Sequence, residues 1–157
     1  MIPYKGKDYI KNGYLVDLNI ETWDKMEQRA RRAVRKAENL GLTVLESKSS
    51  SEIKHSLFPK KLKNNQRCYY ALNKDGMIIA GVVIEFFNSS LLYKYAVSKE
   101  EGKQSQANTF LIWQIVAKFS KTKYRYLDLG PSYRKDLDFF KKQFSYRMYP
   151  VIYNPPR

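Results

Sequence analysis

The most continuous hydrophobic pattern in the chain lies between Met77 and Ser98, where two runs of β-branched, aromatic and aliphatic residues flank Asn88-Ser89-Ser90. Asn and Ser favour tight turns, so the pattern predicts an antiparallel hairpin. Neither run alternates cleanly between apolar and polar residues. Both faces of the two strands should therefore be covered, and the hairpin should lie in the middle of a sheet.

Alternating and helical spacing of hydrophobic residues predicts the other elements. In chain order they are a strand over 14–18, a helix over 22–41, strands over 42–46 and 67–73, a helix from Ser105 to about Lys121, a strand over 123–130, a helix from Tyr133 to about Phe144 and a strand over 146–153. Thr22 and Ser105 are candidate N-caps, and Gly41 is a natural C-terminal cap. The polar segment 47–66 is predicted to hold a short helix over 53–58.

The order of these elements predicts the fold class. A helix joins the second hairpin strand to the strand over 123–130, and such a connection implies parallel pairing. The chain should therefore form one α/β domain over residues 1–157, with a mixed sheet in which antiparallel strands come first and parallel strands later. Helices should pack on both faces of this sheet.

The composition indicates a protein of a reducing compartment. Cys68 is the single cysteine and cannot form an internal disulfide. No apolar run approaches the roughly twenty residues of a transmembrane helix, and the first ten residues lack a signal-peptide hydrophobic region. We therefore expect a cytoplasmic protein. His55 is also single, with no second ligand at metal-binding spacing, so no metal site is predicted.

The net charge of +14 is unevenly distributed. The excess of basic residues lies in 24–75 and 118–147, whereas 76–117 is neutral. If the two basic segments converge, they form a patch that attracts a phosphate-bearing partner such as RNA, a nucleotide-linked substrate or an anionic membrane surface. The alternative is a charge that only confers solubility.

Short motifs are spread in order over most of the chain, from about Thr22 to Tyr149. They are R-R-A-V-R-K-A-E-N-L-G-L-T-V (31–44), Y-A-L (70–72) with the Asp75-Gly76 turn, I-A-G (79–81), Y-K-Y-A-V-S (93–98), L-I-W (111–113), L-D-L-G (127–130) and F-K-K-Q-F (140–144). In this order and spacing they resemble the FemAB family of non-ribosomal peptidyltransferases, relatives of the GNAT-type N-acyltransferases.

The resemblance implies a GNAT-like fold and transfer of an aminoacyl or other acyl group onto an amine, such as that of a cell-wall precursor. It implies aminoacyl-tRNA or acyl-CoA as co-substrate, with no tightly bound cofactor. The chain resembles only the second of the two domains that FemAB-type proteins usually carry. A homodimer or a partner chain would then replace the other domain.

One departure concerns the usual GNAT phosphate loop, Gln/Arg-x-x-Gly-x-Gly/Ala before the long helix. The corresponding stretch, Glu101 to Gln106, contains a single glycine. Close approach of backbone to a pyrophosphate needs those glycines, so the stretch argues against a standard acetyl-CoA enzyme.

Two residues are candidates for the catalytic chemistry. Asp128 lies just before Gly130, at the C-terminal end of a predicted parallel strand, and could act as a general base or position the amine; its alternative role is to cap the turn from Pro131 to Tyr133. Tyr95 could position substrate or donate a hydrogen bond, and its alternative role is core packing. No Ser-His-Asp or Cys-His set is visible, which argues against covalent catalysis.

Further candidates would bind the substrate or its phosphates. On the first predicted helix, basic residues three and four positions apart form a band of cations whose alternative is a solvated face. Lys141 could contact donor phosphate or be an exposed helix lysine. The full set is Arg31, Arg32, Lys36, Tyr93, Ser98, Ser105 and Lys141.

Two other functions stay open at this point. A non-catalytic RNA- or polyanion-binding module would use the cationic helix, bind in a salt-sensitive way and consume no acyl donor. An acyl-CoA-dependent N-acetyltransferase would bind coenzyme A and be stabilised by it.

Overall fold

A computed structural model describes residues 9–132, 134–144 and 147–153, with the backbone alone for 9–11 and 152–153. The elements in chain order are β1 (Tyr9–Asp17), α1 (Thr22–Lys25), α2 (Gln28–Asn39), β2 (Thr43–Ser47), β3 (Gln66–Leu72), β4 (Ile78–Phe87), β5 (Ser90–Ser98), α3 (Glu100–Gln104), α4 (Ala107–Phe119), β6 (Tyr126–Pro131), α5 (Lys135–Lys142) and β7 (Arg147–Tyr153). The predicted starts of the last helix at Tyr133 and of the last strand at Tyr146 lie outside the described residues.

The described strands form one mixed sheet of seven strands in the order β2-β3-β4-β5-β6-β1-β7. The predicted hairpin is confirmed as β4 and β5, which lie in the middle of the sheet. The crossover through α4 makes β5 and β6 parallel, as predicted. The other neighbouring strands pair antiparallel. The first strand begins at Tyr9 rather than Tyr14, because its N-terminal half pairs with β7.

The helix predicted over 22–41 is interrupted between α1 and α2. Glu27 is extended there, and its N–H donates to the carbonyl of Gln143. Thr22 does not cap α1, because Glu21 occupies the N-cap position and Thr22 is the first residue of the helix. The Thr22 hydroxyl donates to the carbonyl of Asp17. Gly41 ends α2 as predicted. Its φ of +82° closes a Schellman motif, in which the N–H of Leu42 reaches the carbonyl of Ala37.

The helix predicted from Ser105 begins at Ala107 as α4, and the residues before it form a separate short helix, α3. The N-cap of α4 is Gln106, whose φ of +57° is left-handed, and the buried Ser105 ends α3. The Ser105 hydroxyl donates to the carbonyls of Glu101 and Gly102. Ser105 thus belongs to the end of α3, and Gln106 occupies the N-cap position that Ser105 was predicted to fill.

The two faces of the sheet are covered differently. Helices α2 and α4 pack on one face in a large apolar cluster that includes Val34, Leu111 and Ile115. On the other face, over β3 and β4, Ile53 and Phe58 from the loop between β2 and β3 form a second cluster. Over those strands a loop therefore replaces the predicted helical cover. The helix predicted over 53–58 does not form, since these residues adopt turns and bends.

In the described part of the chain, no helix combines the length and the apolar character needed to cross a bilayer.

Candidate functional site

A cleft opens where β5 and β6 separate. Their parallel pairing runs from Ser90↔Tyr126 to Leu92↔Asp128 and then stops, although β5 continues to Ser98. The cleft has a volume of about 610 Å³. Its lining comprises Leu92, Tyr93, Lys94, Ala96, Asn108, Asp128, Leu129, Gly130, Pro131, Leu137, Phe140, Lys141 and Tyr149. Past Leu92, the β6-facing edge of β5 has no strand partner among the described residues.

A bulge in β5 decides which tyrosine faces the cleft. The register of β5 on β4 passes from Val83↔Tyr95 to Ile84↔Tyr93, so Lys94 is an extra residue. In a regular strand Tyr93 and Tyr95 would share a face, but the bulge places them on opposite faces. Tyr93 lines the cleft, whereas Tyr95 is 39% exposed and outside the lining. The structure therefore does not bring the predicted catalytic Tyr95 to Asp128.

Asp128 lies at the point where the two strands part. Its Oδ1 accepts the backbone N–H of Gly130 at 2.8 Å and the hydroxyl of Tyr149 at 2.7 Å. Asp128 thus holds the backbone at Gly130, one residue before the turn that it was predicted to cap, and the end of that turn at Tyr133 lies outside the described residues. Both described hydrogen bonds end on Oδ1, which leaves Oδ2 without a described partner and able to accept a proton from a substrate. One carboxylate can serve both roles.

Tyr149 reaches Asp128 from two strands away. It lies on β7 opposite Gly13 of β1, and β1 lies between β7 and β6. A Cβ added at Gly13 would lie 2.1 Å from Cζ of Tyr149. The glycine therefore leaves the space through which the tyrosine ring crosses β1.

Lys141 is buried, with 8% exposure, rather than an exposed helix lysine. Its Nζ donates to the carbonyls of Pro131 at 3.0 Å and Gly130 at 3.4 Å, which ties α5 to the end of β6. Burial lowers the pKa of Lys141, and the negative charges of Asp128 and Asp138 oppose that shift. The ammonium group thus belongs to the wall of the cleft beside Asp128.

Two further polar groups line the cleft. Burial raises the pKa of Tyr93, so that its hydroxyl stays protonated and can donate a hydrogen bond. Oδ1 of Asn108, in the first turn of α4, is a buried acceptor without a described partner. A buried acceptor of this kind is suited to an N–H or O–H donor from a ligand.

A second cavity, of about 600 Å³, adjoins the cleft, since Asn108 and Phe140 line both. It lies at the N-terminus of α4, where free backbone N–H groups and the helix dipole favour an anion. Lys103 and the predicted binding residue Ser98 belong to its lining. The two cavities can therefore hold one long ligand, with its anionic part at α4 and its other end beside Asp128.

Gly102 does not provide a phosphate cradle in this second cavity. A Cβ at this position would lie 2.4 Å from both the carbonyl oxygen of Ile79 and Oγ of Ser98. The lone glycine of the stretch therefore serves the packing of α3 against β4, which agrees with the predicted departure from acetyl-CoA enzymes.

The predicted cationic residues of α2 separate into different roles. Arg31 donates to the carbonyls of Trp23, Asp24 and Met26, where it satisfies the C-terminal end of α1 instead of facing a ligand. Nζ of Lys36 donates to the carbonyl of Gln104 at 2.9 Å, close to the second cavity. Arg32 is exposed on α2. Ser105, turned into the end of α3, lines neither cavity.

Sequence reasoning missed Tyr149, Asn108 and Gly13. Tyr149 and Gly13 lie far apart along the chain, and neither stands in a motif that suggests chemistry. The contact between them depends on strand order, for which the hydrophobic pattern carries no signal. Asn108 lies in the first turn of the long helix whether that helix begins at Ser105, as predicted, or at Ala107, and this place is the signal that could have identified it.

Among the residues that the structure describes, no group of three His, Cys, Asp or Glu side chains could hold a metal ion.

No sequence profile of a known protein family matches the chain, and no curated protein does. Solved structures match its fold. The C-terminal domain of a protein described as a lysylphosphatidylglycerol synthetase from Agrobacterium fabrum matches 93% of the chain, with a TM-score of 0.68 at 15% identity. FemX matches 93% with a TM-score of 0.66 at 14% identity. L-PGS from Bacillus licheniformis matches 96% with a TM-score of 0.61 at 12% identity.

The matched region covers 60% of the first of these structures and 62% of each of the other two. The chain thus accounts for less than two thirds of each relative's length. At these identities the likeness defines the fold. The GNAT-like, FemAB-type fold predicted from the sequence motifs is therefore confirmed.

Proposed function

We propose that the protein is an aminoacyl or acyl transferase that moves its acyl group from an ester or thioester donor to an amine. The observation that carries this proposal is the cleft between β5 and β6, where Asp128 lies opposite an unpaired strand edge. Support comes also from the fold, which the chain shares with FemX and with a protein described as a lysylphosphatidylglycerol synthetase.

The reaction begins when the acceptor amine attacks the carbonyl carbon of the donor and a C–N bond forms. Oδ2 of Asp128 accepts the proton that the amine must lose. Negative charge develops on the carbonyl oxygen, and backbone N–H groups of the unpaired β5 edge are the donors proposed to stabilise it. The C–O bond of an ester donor then breaks, and the departing oxygen takes up the proton that Asp128 had accepted.

Three neighbouring side chains support this step. Tyr149 holds Oδ1 of Asp128, so that Oδ2 points to the reacting amine. Tyr93 offers a neutral hydroxyl for orienting the substrate, and Lys141 adds positive charge beside the carboxylate. Because the described lining of the cleft contains no Ser or Cys beside a His, we propose direct transfer without a covalent enzyme intermediate.

Aminoacyl-tRNA is the proposed donor. Its phosphates would lie in the cavity at α4, near Lys103 and Lys36, and its esterified ribose would point into the cleft. The packing role of Gly102 disfavours coenzyme A there. The proposed acceptor is a cell-wall precursor or another amine-bearing glycoconjugate, which rests on the FemAB resemblance.

The discharge of labelled aminoacyl-tRNA tests this proposal. The wild-type protein should accelerate discharge only when a lysine-bearing cell-wall precursor is present, and the label should appear on the precursor. Coenzyme A and acetyl-CoA form the comparison arm, where saturable thermal stabilisation would favour an acyl-CoA enzyme instead. Binding of tRNA without any discharge would favour the RNA-binding module.

A second copy or a partner chain is proposed to complete the acceptor side. Leu137, which lines the cleft, and Phe139, which lines the second cavity, are 40% and 62% exposed. Large apolar side chains exposed at the mouth of a site are suited to a protein contact. If a second copy completes the site, specific activity should rise with protein concentration in parallel with dimer formation in analytical ultracentrifugation.

A further inference from the structure

The loop between β2 and β3, residues 48–65, carries a concentrated positive charge that the proposed transferase site does not use. It contains five lysines and a single acidic residue, Glu52. The lysines are Lys48, Lys54, Lys60, Lys61 and Lys63. None of them takes part in an ion pair described for the structure, and all five are exposed. The loop therefore presents uncompensated cations to its surroundings.

Leu57 lies near the middle of this loop and is 73% exposed, more than any other large hydrophobic residue described. A defined turn holds it there. Its N–H donates to Nδ1 of His55 at 3.1 Å, and the N–H of Phe58 donates to the carbonyl of His55 at 3.0 Å. A hydrogen-bonded turn therefore holds Leu57 on the surface, in a segment rich in lysine.

The base of the loop is fixed to the sheet. Ile53 and Phe58 are buried beneath it, with 8% and 5% exposure. The Ser50 hydroxyl donates to the carbonyl of Pro59 at 2.7 Å, and the Tyr70 hydroxyl of β3 donates to the carbonyl of Ser49 at 2.8 Å. These contacts hold the loop against the sheet, with Ile53 and Phe58 on its buried side. Leu57 is left on the exposed side.

A cavity of about 520 Å³ lies within the loop. Ile53, Phe58 and Pro59 give it apolar walls, and Lys54 and Lys60 are also part of its lining. Apolar surface next to ammonium groups matches the boundary between the acyl chains and the phosphates of a lipid.

We propose that this loop docks on the surface of an anionic phospholipid bilayer, with Leu57 inserted among the acyl chains and the lysines on the lipid phosphates. Clustered lysines around an exposed apolar residue are typical of such peripheral contacts. RNA is the less suitable partner, because the loop has no arginine and its one Phe, Tyr or Trp residue, Phe58, is buried. Arginine and exposed aromatic rings are the usual means of contacting nucleotides.

Co-sedimentation of the full chain with vesicles tests the proposal. Vesicles of phosphatidylcholine alone are compared with mixed phosphatidylcholine and phosphatidylglycerol vesicles, at low and at raised salt. We expect binding to the mixed vesicles only, weakened by salt. Leu57→Ser should reduce the partition coefficient on the order of tenfold, and the triple variant K60Q/K61Q/K63Q on the order of a hundredfold.

Matched variants at other exposed positions control for hydrophobicity and net charge. Met77→Ser removes an apolar side chain that is 62% exposed, in the turn after β3. K74Q/K121Q/K123Q removes the same charge as the loop variant from other exposed positions. Both controls should keep most of the vesicle binding, and circular dichroism should show all four variants folded.

Three results would overturn the proposal. Equal losses in K74Q/K121Q/K123Q and in the loop variant would mean that net charge alone is responsible. A loss of tRNA binding in the loop variant, with vesicle binding unchanged, would make the loop an RNA contact. A change of oligomeric state in Leu57→Ser, again with vesicle binding unchanged, would assign the loop to a second copy of the chain.

Discussion

The hydroxyl of Tyr149 donates to Oδ1 of Asp128 at 2.7 Å, although the two residues lie on strands separated by β1. The ring crosses β1 at Gly13, the position opposite Tyr149 in the ladder. Three elements distant in sequence thus fix one carboxylate in the cleft. Because Oδ1 is already occupied, Oδ2 is the oxygen that would accept the proton in the proposed transfer.

This relationship makes Gly13→Ala a test of positioning. The new Cβ would displace the end of the Tyr149 ring, so Asp128 should lose that hydrogen bond. A hydrogen bond to a charged group contributes about 1.5–3 kcal/mol, so turnover should fall about tenfold to a hundredfold in Gly13→Ala and in Tyr149→Phe alike. Single-turnover kinetics of acyl transfer gives the measurement.

The double variant supplies the control for this prediction. If both changes act through the same hydrogen bond, G13A/Y149F should be no slower than either single variant. Independent, multiplied losses would contradict a shared role. If Tyr149→Phe kept full turnover while Gly13→Ala lost much of its stability, the contact between Gly13 and Tyr149 would have a packing role only.

Asp128→Asn should separate chemistry from structure. Asparagine keeps an oxygen that can accept from Gly130 and Tyr149, so the free energy of unfolding should change little. It cannot accept a proton from the amine, so turnover should fall by about 10²–10⁴. The exposed Asp136 on α5 provides a matched control, and Asp136→Asn should leave turnover unchanged. Parallel losses of turnover and stability in Asp128→Asn would make the residue structural.

Cys68 should be unreactive in the native protein. Burial raises the pKa of its thiol from 9.0 to about 12, an effect that the neighbouring Tyr70 side chain only partly opposes. Because the thiolate is the nucleophile, alkylation by iodoacetamide at pH 8 should be on the order of a hundredfold or more slower in the native protein than in urea. Fast native labelling would show that the core opens around β3.

The same shift predicts a dependence of stability on pH. The folded thiol binds its proton more tightly than the unfolded one, so its stabilising contribution is complete below pH 9 and lost as pH rises toward 12. Cys68→Ala should therefore show a shallower alkaline decline in the free energy of unfolding than wild type. Urea titrations over a pH series measure this difference, and identical slopes would contradict it.

The sequence predicted the fold better than the site, for a physical reason. Apolar runs and turn residues are local signals, so the central hairpin and the cap at Gly41 could be recognised. One extra residue in β5, Lys94, places Tyr93 in the cleft and Tyr95 outside it. The hydrophobic pattern does not reveal such an extra residue. The contact between Tyr149 and Asp128 depends on strand order, and no local pattern encodes strand order.

The break between α3 and α4 shows the same limit and leads to a further prediction. Ser105 has the chemistry of an N-cap, but Gln106 takes that position in a left-handed conformation, with φ of +57° and ψ of +43°. A residue with a Cβ is strained there by about 1–2 kcal/mol, and glycine is not. Glycine also gives the unfolded chain more freedom, which offsets part of the gain.

Gln106→Gly should therefore raise the free energy of unfolding by about 0.5–1 kcal/mol, measured by urea denaturation. Gln104→Gly is the matched control, because Gln104 lies two residues earlier within α3, where glycine should destabilise by about 0.5–1 kcal/mol. Opposite signs for the two variants would establish that the backbone at residue 106 stores strain. A loss of stability in both would mean that the Gln106 side chain contributes more through its contacts than its backbone conformation costs.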